Sequence, residues 1–182
     1  MDIRVLVAVA SKHGATERIA QRVGHALSQA LGARGLCVEL DVCTVDRVRF
    51  LDRFDAVVVG SAVYAGHWLG PATRFVEANR EVLRDRPVWL FSSRPIGDPL
   101  RPAEESAAPR KLAEAIGALD HRVFGGTPDR ASLSLAERAI AKALGAPEGD
   151  FRDWEAVDAW AGDIACELAA LRQQAAGSVY AG

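Results

Sequence analysis

The sequence predicts an α/β fold, a doubly wound parallel sheet of five strands with helices on both faces. Three observations carry that prediction. Short apolar runs alternate with amphipathic stretches along the whole chain, which is the signature of repeated strand–helix units joined by crossovers. Runs 3–10, 54–61 and 87–93 are almost continuously apolar, as central strands covered on both faces must be. At 182 residues, with 49% apolar and 25% charged residues, the chain is long enough for one substantial core and short for two, so residues 1–182 are expected to form one domain.

The elements follow in order. IRVLVAVA (3–10) reads as the first strand and 16–33 as the first long helix, with Gly32 and Gly35 as its stops. LCVELDVC (36–43) alternates, with Glu39 and Asp41 set against Leu40 and Val42, which suits an edge strand. Residues 36–54 leave little room for a full helix, so only a short one is expected near Val45–Leu51. FDAVVVGS (54–61), PVWLFSS (87–93) and HRVFGGT (121–127) supply the remaining strands, with helices over 71–85, 107–118 and 153–175. One section exceeds the minimal pattern. Residues 128–152 form an insertion after the last strand, and Leu135, Ala139, Ile140 and Leu144 give its centre helical spacing. It follows a strand end and so borders the carboxyl edge of the sheet, where such folds take ligands.

Several function classes are excluded by composition and motif. A net charge of −2 and a pI near 6.1 give no basic field for nucleic acid. Three cysteines, Cys37, Cys43 and Cys166, show neither metal spacing nor a CxxC pair, so no metal site is expected and a reducing cytoplasm is. No apolar run approaches a membrane span. G-x-G-x-x-G and G-x-x-x-x-G-K-[ST] are both missing, which removes the dinucleotide fingerprint and the P-loop. The third strand ends Val59-Gly60-Ser61, without the aspartate a phospho-receiver needs.

Three loops at the carboxyl edge carry the functional signal. Ser11-Lys12-His13-Gly14-Ala15-Thr16 joins a strand to a helix, with hydroxyls at Ser11 and Thr16, close backbone approach at Gly14 and a cation at Lys12. Such a turn holds a phosphate on helix N–H groups and the favourable end of the helix dipole. It can equally be a capped turn with Thr16 as N-cap. The second loop, Ser61-Ala62-Val63-Tyr64-Ala65-Gly66-His67-Trp68, combines small residues with Tyr64 and Trp68 as flat stacking partners for a ring, and Gly66 for close approach. In the third, Ser92-Ser93-Arg94-Pro95-Ile96-Gly97-Asp98, Arg94 brings a permanent cation to the same rim. A phosphate end, an aromatic platform and a cation at one edge make the layout of an FMN site. Within it Arg94 is the candidate for stabilising negative charge on the reduced ring, and His67 is a candidate acid or base. His67 also reads as a loop histidine bonded to backbone. His25 and His121 read as helix-surface and strand residues with no site to serve.

The turn Ser11–Thr16 resembles the [ST]-x-x-G-x-T phosphate loop of flavodoxin-like proteins. More closely, the chain looks like the flavodoxin-type, menaquinone-dependent protoporphyrinogen oxidase family. The matching features are SKHGATERIA, the stretch VVVGSAVYAGHWLGPATRFVEANREVL, and the inserted helix followed by Asp153-Trp154-Glu155; Gly60–His67 is the most specific portion. The resemblance implies a flavodoxin-like fold with non-covalent FMN. Its phosphate would rest on Ser11, Lys12, His13, Gly14, Ala15 and Thr16. Its ring would lie between Ser61, Ala62, Val63, Tyr64, Gly66 and Trp68 on one side and Ser93, Arg94 and Gly97 on the other. Electrons would pass between a reduced substrate, such as a porphyrinogen, and a quinone. The chain departs from that family in its insertion, where SLSLAERAIAKALGAPEG has no aromatic residue and mixed charge, so contact with a membrane is expected to be peripheral at most. Exposed apolar residues over 133–144 would alternatively form a homodimer contact. A deazaflavin presents the same phosphate and tricyclic ring as FMN. A one-electron flavodoxin carrier, or a flavodoxin-like interaction domain without a cofactor, are the rival readings.

Overall fold

The computed structural model describes residues 3–64, 66–94, 107–125 and 153–179. The strands are β1 (Ile3–Ala10), β2 (Val38–Thr44), β3 (Ala56–Tyr64), β4 (His67–Trp68), β5 (Val88–Arg94) and β6 (Asp120–Gly125). The helices are α1 (Ala15–Gly32), α2 (Gly70–Ala78), α3 (Arg80–Arg84), α4 (Ala107–Ile116) and α5 (Trp154–Val179). Five strands pair in the order β2-β1-β3-β5-β6, all parallel, and β4 pairs antiparallel with the end of β3. The chain leaves β1 for β2 on one side and then reaches β3 on the other. The strand order therefore reverses between β1 and β3.

Alternation along the strands splits the core into two layers. On one face Val5, Val7, Val9, Val58, Trp89 and Phe91 meet Ile19, Val23 and Leu27 of α1 and Val157, Trp160 and Ile164 of α5. On the other, Leu6, Ala8, Val57, Val59 and Leu90 meet Ala72, Phe75 and Val76 of α2, Leu83 of α3 and Ile116 of α4. In the first layer Trp160 meets Phe91 and Phe124 edge to face, the two phenyl rings are tilted to each other, and the centroid distances are 5.5–6.1 Å. Gly60 of β3 makes room for them. A Cβ there would lie 2.0 Å from Phe91 Cζ. Across α1 and α5, Arg22 reaches both carboxylate oxygens of Asp158, with its Nε 2.6 Å from Oδ1.

The edge position of β2 matches its alternating pattern. Leu40 and Val42 lean on the core while Glu39 pairs with Arg4 and Asp41 with Arg53 at the surface. Two details differ from the sequence expectation. The stretch 45–53 forms two single 3-10 turns, Val45–Arg47 and Leu51–Arg53, rather than a helix; buried Val45 and Leu51 pin them, and the Arg86 guanidinium bonds the carbonyls of Leu51 and Phe54. The expected helix 71–85 divides at Asn79, whose side-chain amide donates to the Phe75 carbonyl at 2.8 Å. A short amide side chain that bonds the backbone competes with the helical ladder. The insertion expected over 128–152, and the dimer contact expected within it, lie outside the described residues.

Candidate functional site

The turn after β1 is built by its own residues. The Gly14 N–H donates to Ser11 Oγ at 3.0 Å, and Gly14 takes φ 82°, a left-handed conformation that costs glycine little. Gly14 is the N-cap of α1, and no side chain caps the helix. This corrects the capped-turn alternative: Thr16 sits inside the first turn, 2% exposed, and does not act as N-cap. The first intrahelical bond runs from Arg18 N to Gly14 O, so the N–H groups of Ala15, Thr16 and Glu17 have no intrahelical acceptor. Lys12 and His13 are exposed on the outer side of the turn.

The second predicted loop is a β-hairpin. β3 continues through Ser61, Ala62, Val63 and Tyr64, turns at Gly66 (φ 79°), and returns as β4, pairing Tyr64 with His67 and Val63 with Trp68. Ser61, expected to face a ring, is wholly buried. Its Oγ donates to the Ala62 carbonyl and accepts the Leu69 N–H at 3.0 Å, tying the hairpin to the start of α2. Trp68, expected as a stacking platform, is turned inward and 5% exposed. Pairing opposite Val63 sends its side chain to the core, and its indole N–H donates to Ser92 Oγ at 2.8 Å. Tyr64 remains as the exposed ring, and the Lys12 ammonium stands 5.5 Å from its centroid. That contact brings the first turn and the hairpin together.

The third predicted loop is also strand through Arg94. Ser93 is buried inside β5 beside Ala62, itself 7% exposed, so neither side chain sits on an open loop. Arg94 is half-buried at the end of β5, and its buried Nε has no hydrogen-bond acceptor among the described residues. It borders a small void shared with Val63, Ser92, His121 and the start of α4. Gly97, with Pro95, Ile96 and Asp98, lies outside the described residues.

His121 is the residue that sequence reasoning missed. Its Nε2 lies 2.8 Å from Ser92 Oγ, and its ring meets Trp68 edge-on at 6.2 Å. A chain from buried Trp68 and Ser92 to half-buried His121 thus links the hairpin to β5 and β6. The usable signal is parity: parallel pairing sets Leu90 beside His121 and Ser61 beside Ser92, on one face. Next to it, Asp120 accepts bonds from the Trp160 indole, Arg122 and the His121 N–H. Burial pushes the Asp120 carboxyl up, but these donors outweigh it and hold the group below the usual carboxylate range. His67 is exposed on β4, facing a cavity between α2 and α4, and His25 is exposed on α1. Among the described residues no cluster of His, Cys, Asp and Glu could hold a metal.

The sheet edge therefore presents uncapped helix N–H groups, a cation and an exposed aromatic ring beside the point where strand order reverses. An anionic, flat ligand fits those features. The chain is similar in structure to a flavodoxin from the domain Archaea, at 16% identity and a TM-score of 0.56, with 91% of this chain and 98% of that one covered. It is similar to an oxidoreductase from Corynebacterium diphtheriae at 17% identity and a TM-score of 0.57, covering 90% and 96%. It also matches rubredoxin oxygen:oxidoreductase from Desulfovibrio gigas at 15% identity and a TM-score of 0.58, covering 92% of this chain and 36% of that larger one. These likenesses show a shared fold. No curated protein sequence matches it significantly. The flavodoxin domain profile matches residues 6–154, most of the chain, and the protein belongs to the flavodoxin domain family.

Proposed function

We propose that the protein binds FMN without a covalent link and transfers electrons through it as an oxidoreductase. The observation that carries this reading is the meeting of the Ser11–Thr16 turn with the Tyr64 ring through Lys12. Family membership supports it. The residues fit the group. Ser11 Oγ accepts from Gly14, which leaves its own proton free to donate to a phosphate oxygen. The N–H groups of Ala15, Thr16 and Glu17 point out of an uncapped helix end, and Lys12 adds charge. Tyr64 offers a face to a flat ring, while Ser61 and Trp68 hold the hairpin that carries it.

When bound, the flavin supplies a ring that takes up and releases electrons. Arg94 sets a fixed positive charge at the end of β5, with a buried Nε that no group among the described residues satisfies. A cation there favours negative charge on a neighbouring ring and hence paired-electron chemistry. His67 is exposed on β4 beside Tyr64, in reach of solvent for proton exchange. A porphyrinogen as reductant and a quinone as acceptor are the finer form of this reading. The resemblance at Gly60–His67 and Asp153–Glu155 supports them. Free Cys37, Cys43 and Cys166 suit a reducing cytoplasm, and no helix among the described residues is long and apolar enough to cross a membrane.

A one-electron carrier uses the same site, and membership of the flavodoxin family favours that role. Anaerobic reductive titration of the FMN-loaded protein separates the two. Uptake of electrons in one paired step supports the oxidoreductase, and two resolved one-electron steps support the carrier. Oxidation of a porphyrinogen with reduction of a soluble quinone is the test of the finer assignment, and no turnover removes it.

A further inference from the structure

Helices α2 and α4 lie side by side on one face of the sheet, and they do not close on each other. Thr73, Val76 and Glu77 of α2, with Arg80 at the start of α3, line one wall, and Ala108, Lys111, Leu112 and Ala115 of α4 line the other. Between them runs a cavity of about 440 Å³. The small side chains of Ala108 and Ala115 leave the gap unfilled. β4, with His67 and Trp68, borders one end, and toward the other Arg80 Nε donates to the Ala115 carbonyl at 3.2 Å. The trench is about two helical turns long, roughly 10 Å.

The lining has a consistent chemistry. Trp68, Val76, Leu112 and Ile116 make an apolar floor. Lys111 and Glu77 stand on opposite walls, and no ion pair joins the two. Arg80 spends its Nε on Ala115, which leaves its terminal nitrogens directed at no other residue described. Two cations against one carboxylate give the trench one excess positive charge. An open groove of this size, with an apolar floor under a net cationic rim, is the pattern of a small-molecule site.

We propose that this trench binds a flat, largely apolar molecule bearing a single carboxylate or sulfonate. The ring system lies against Leu112 on the apolar floor, and the anionic group meets Lys111 and the free end of Arg80. The trench lies on the helix face of the sheet; its β4 end adjoins Tyr64 through His67, but none of its lining belongs to the Ser11–Thr16 turn, so the inference is tested apart from the flavin reading.

Calorimetric titration of the purified protein with 8-anilinonaphthalene-1-sulfonate tests it, with N-phenyl-1-naphthylamine as the same aromatic body without the sulfonate. The sulfonate is expected to bind at one site and the neutral analogue at least tenfold more weakly. Lys111→Glu, an exposed position that folding tolerates, should weaken the sulfonate tenfold or more and leave the neutral analogue within about twofold. Leu112→Trp, which fills the trench, should abolish both while circular dichroism stays native. Saturating FMN should leave sulfonate binding unchanged. Absence of saturable binding, equal binding by the Lys111→Glu protein, or displacement by FMN would each overturn the proposal.

Discussion

The indole nitrogen of Trp68 lies 2.8 Å from the hydroxyl of Ser92, across the junction of β4 and β5. Both groups are buried, and each satisfies the other where no water reaches. The bond is the fastening that holds the β3–β4 hairpin down on the sheet, so that Tyr64 projects at the edge. Trp68→Phe keeps the ring and removes the donor. It should destabilise the protein by about 1 kcal/mol in urea unfolding, the usual size of a buried hydrogen bond. Wild-type stability in that variant would mean that the hairpin is held by packing alone.

Gly60 answers to a different constraint. A Cβ at that position would meet the Phe91 ring at 2.0 Å, and Phe91 is locked between Phe124 and Trp160. Gly60→Ala should therefore cost about 1–3 kcal/mol, the range for overpacking a filled core. Thermal unfolding monitored by circular dichroism measures it.

Acid stability follows from Asp120. Its carboxyl titrates below the ordinary value of 3.8 in the folded chain, because the donors of Trp160, Arg122 and the His121 N–H overcome the effect of burial. The unfolded chain then binds the proton more readily than the folded one. The contribution is complete above the unfolded value and is lost as pH falls through the lower, folded one. Asp120→Asn should be less stable than wild type at pH 7, and the difference should shrink as pH drops below about 4. Urea midpoints across that range report it.

Arg94→Ala tests the role assigned to the cation at the end of β5. In the FMN-loaded protein the second reduction potential should fall, since the fixed positive charge that favours the reduced ring is gone. An unchanged potential would take Arg94 out of the mechanism.

The sheet was legible because its central strands are uninterrupted apolar runs, and β1, β3 and β5 fall within two or three residues of those runs. The Ser11–Thr16 turn was legible because glycine and hydroxyls follow a strand directly. What the sequence concealed is where strand ends and loop begins. Ser61–Tyr64 and Ser92–Arg94 look like loop residues for being small and polar, yet both continue their strands. Their hydroxyls are satisfied inside, by Leu69 N–H and by Trp68. The same oversight made Trp68 look like a platform: a tryptophan near a glycine gives no sign of which side of a two-residue strand it occupies. His121 could not be read from its neighbours either, because its partners are 29 and 53 residues away in the chain.

Tyr64→Ala removes the one ring at the edge that remains exposed beside Lys12. FMN affinity should fall about fivefold, in line with the loss of one aromatic contact of about 1 kcal/mol. Fluorescence titration with free FMN measures the change, and Trp68→Phe run in parallel should fall less.

The most direct measurement is the visible absorption spectrum of the purified protein after incubation with FMN and desalting. Retained flavin bands at one FMN per chain, lost in a Gly14→Val variant that strains the left-handed turn, are the result this account predicts. A colourless protein that releases all added FMN would contradict it.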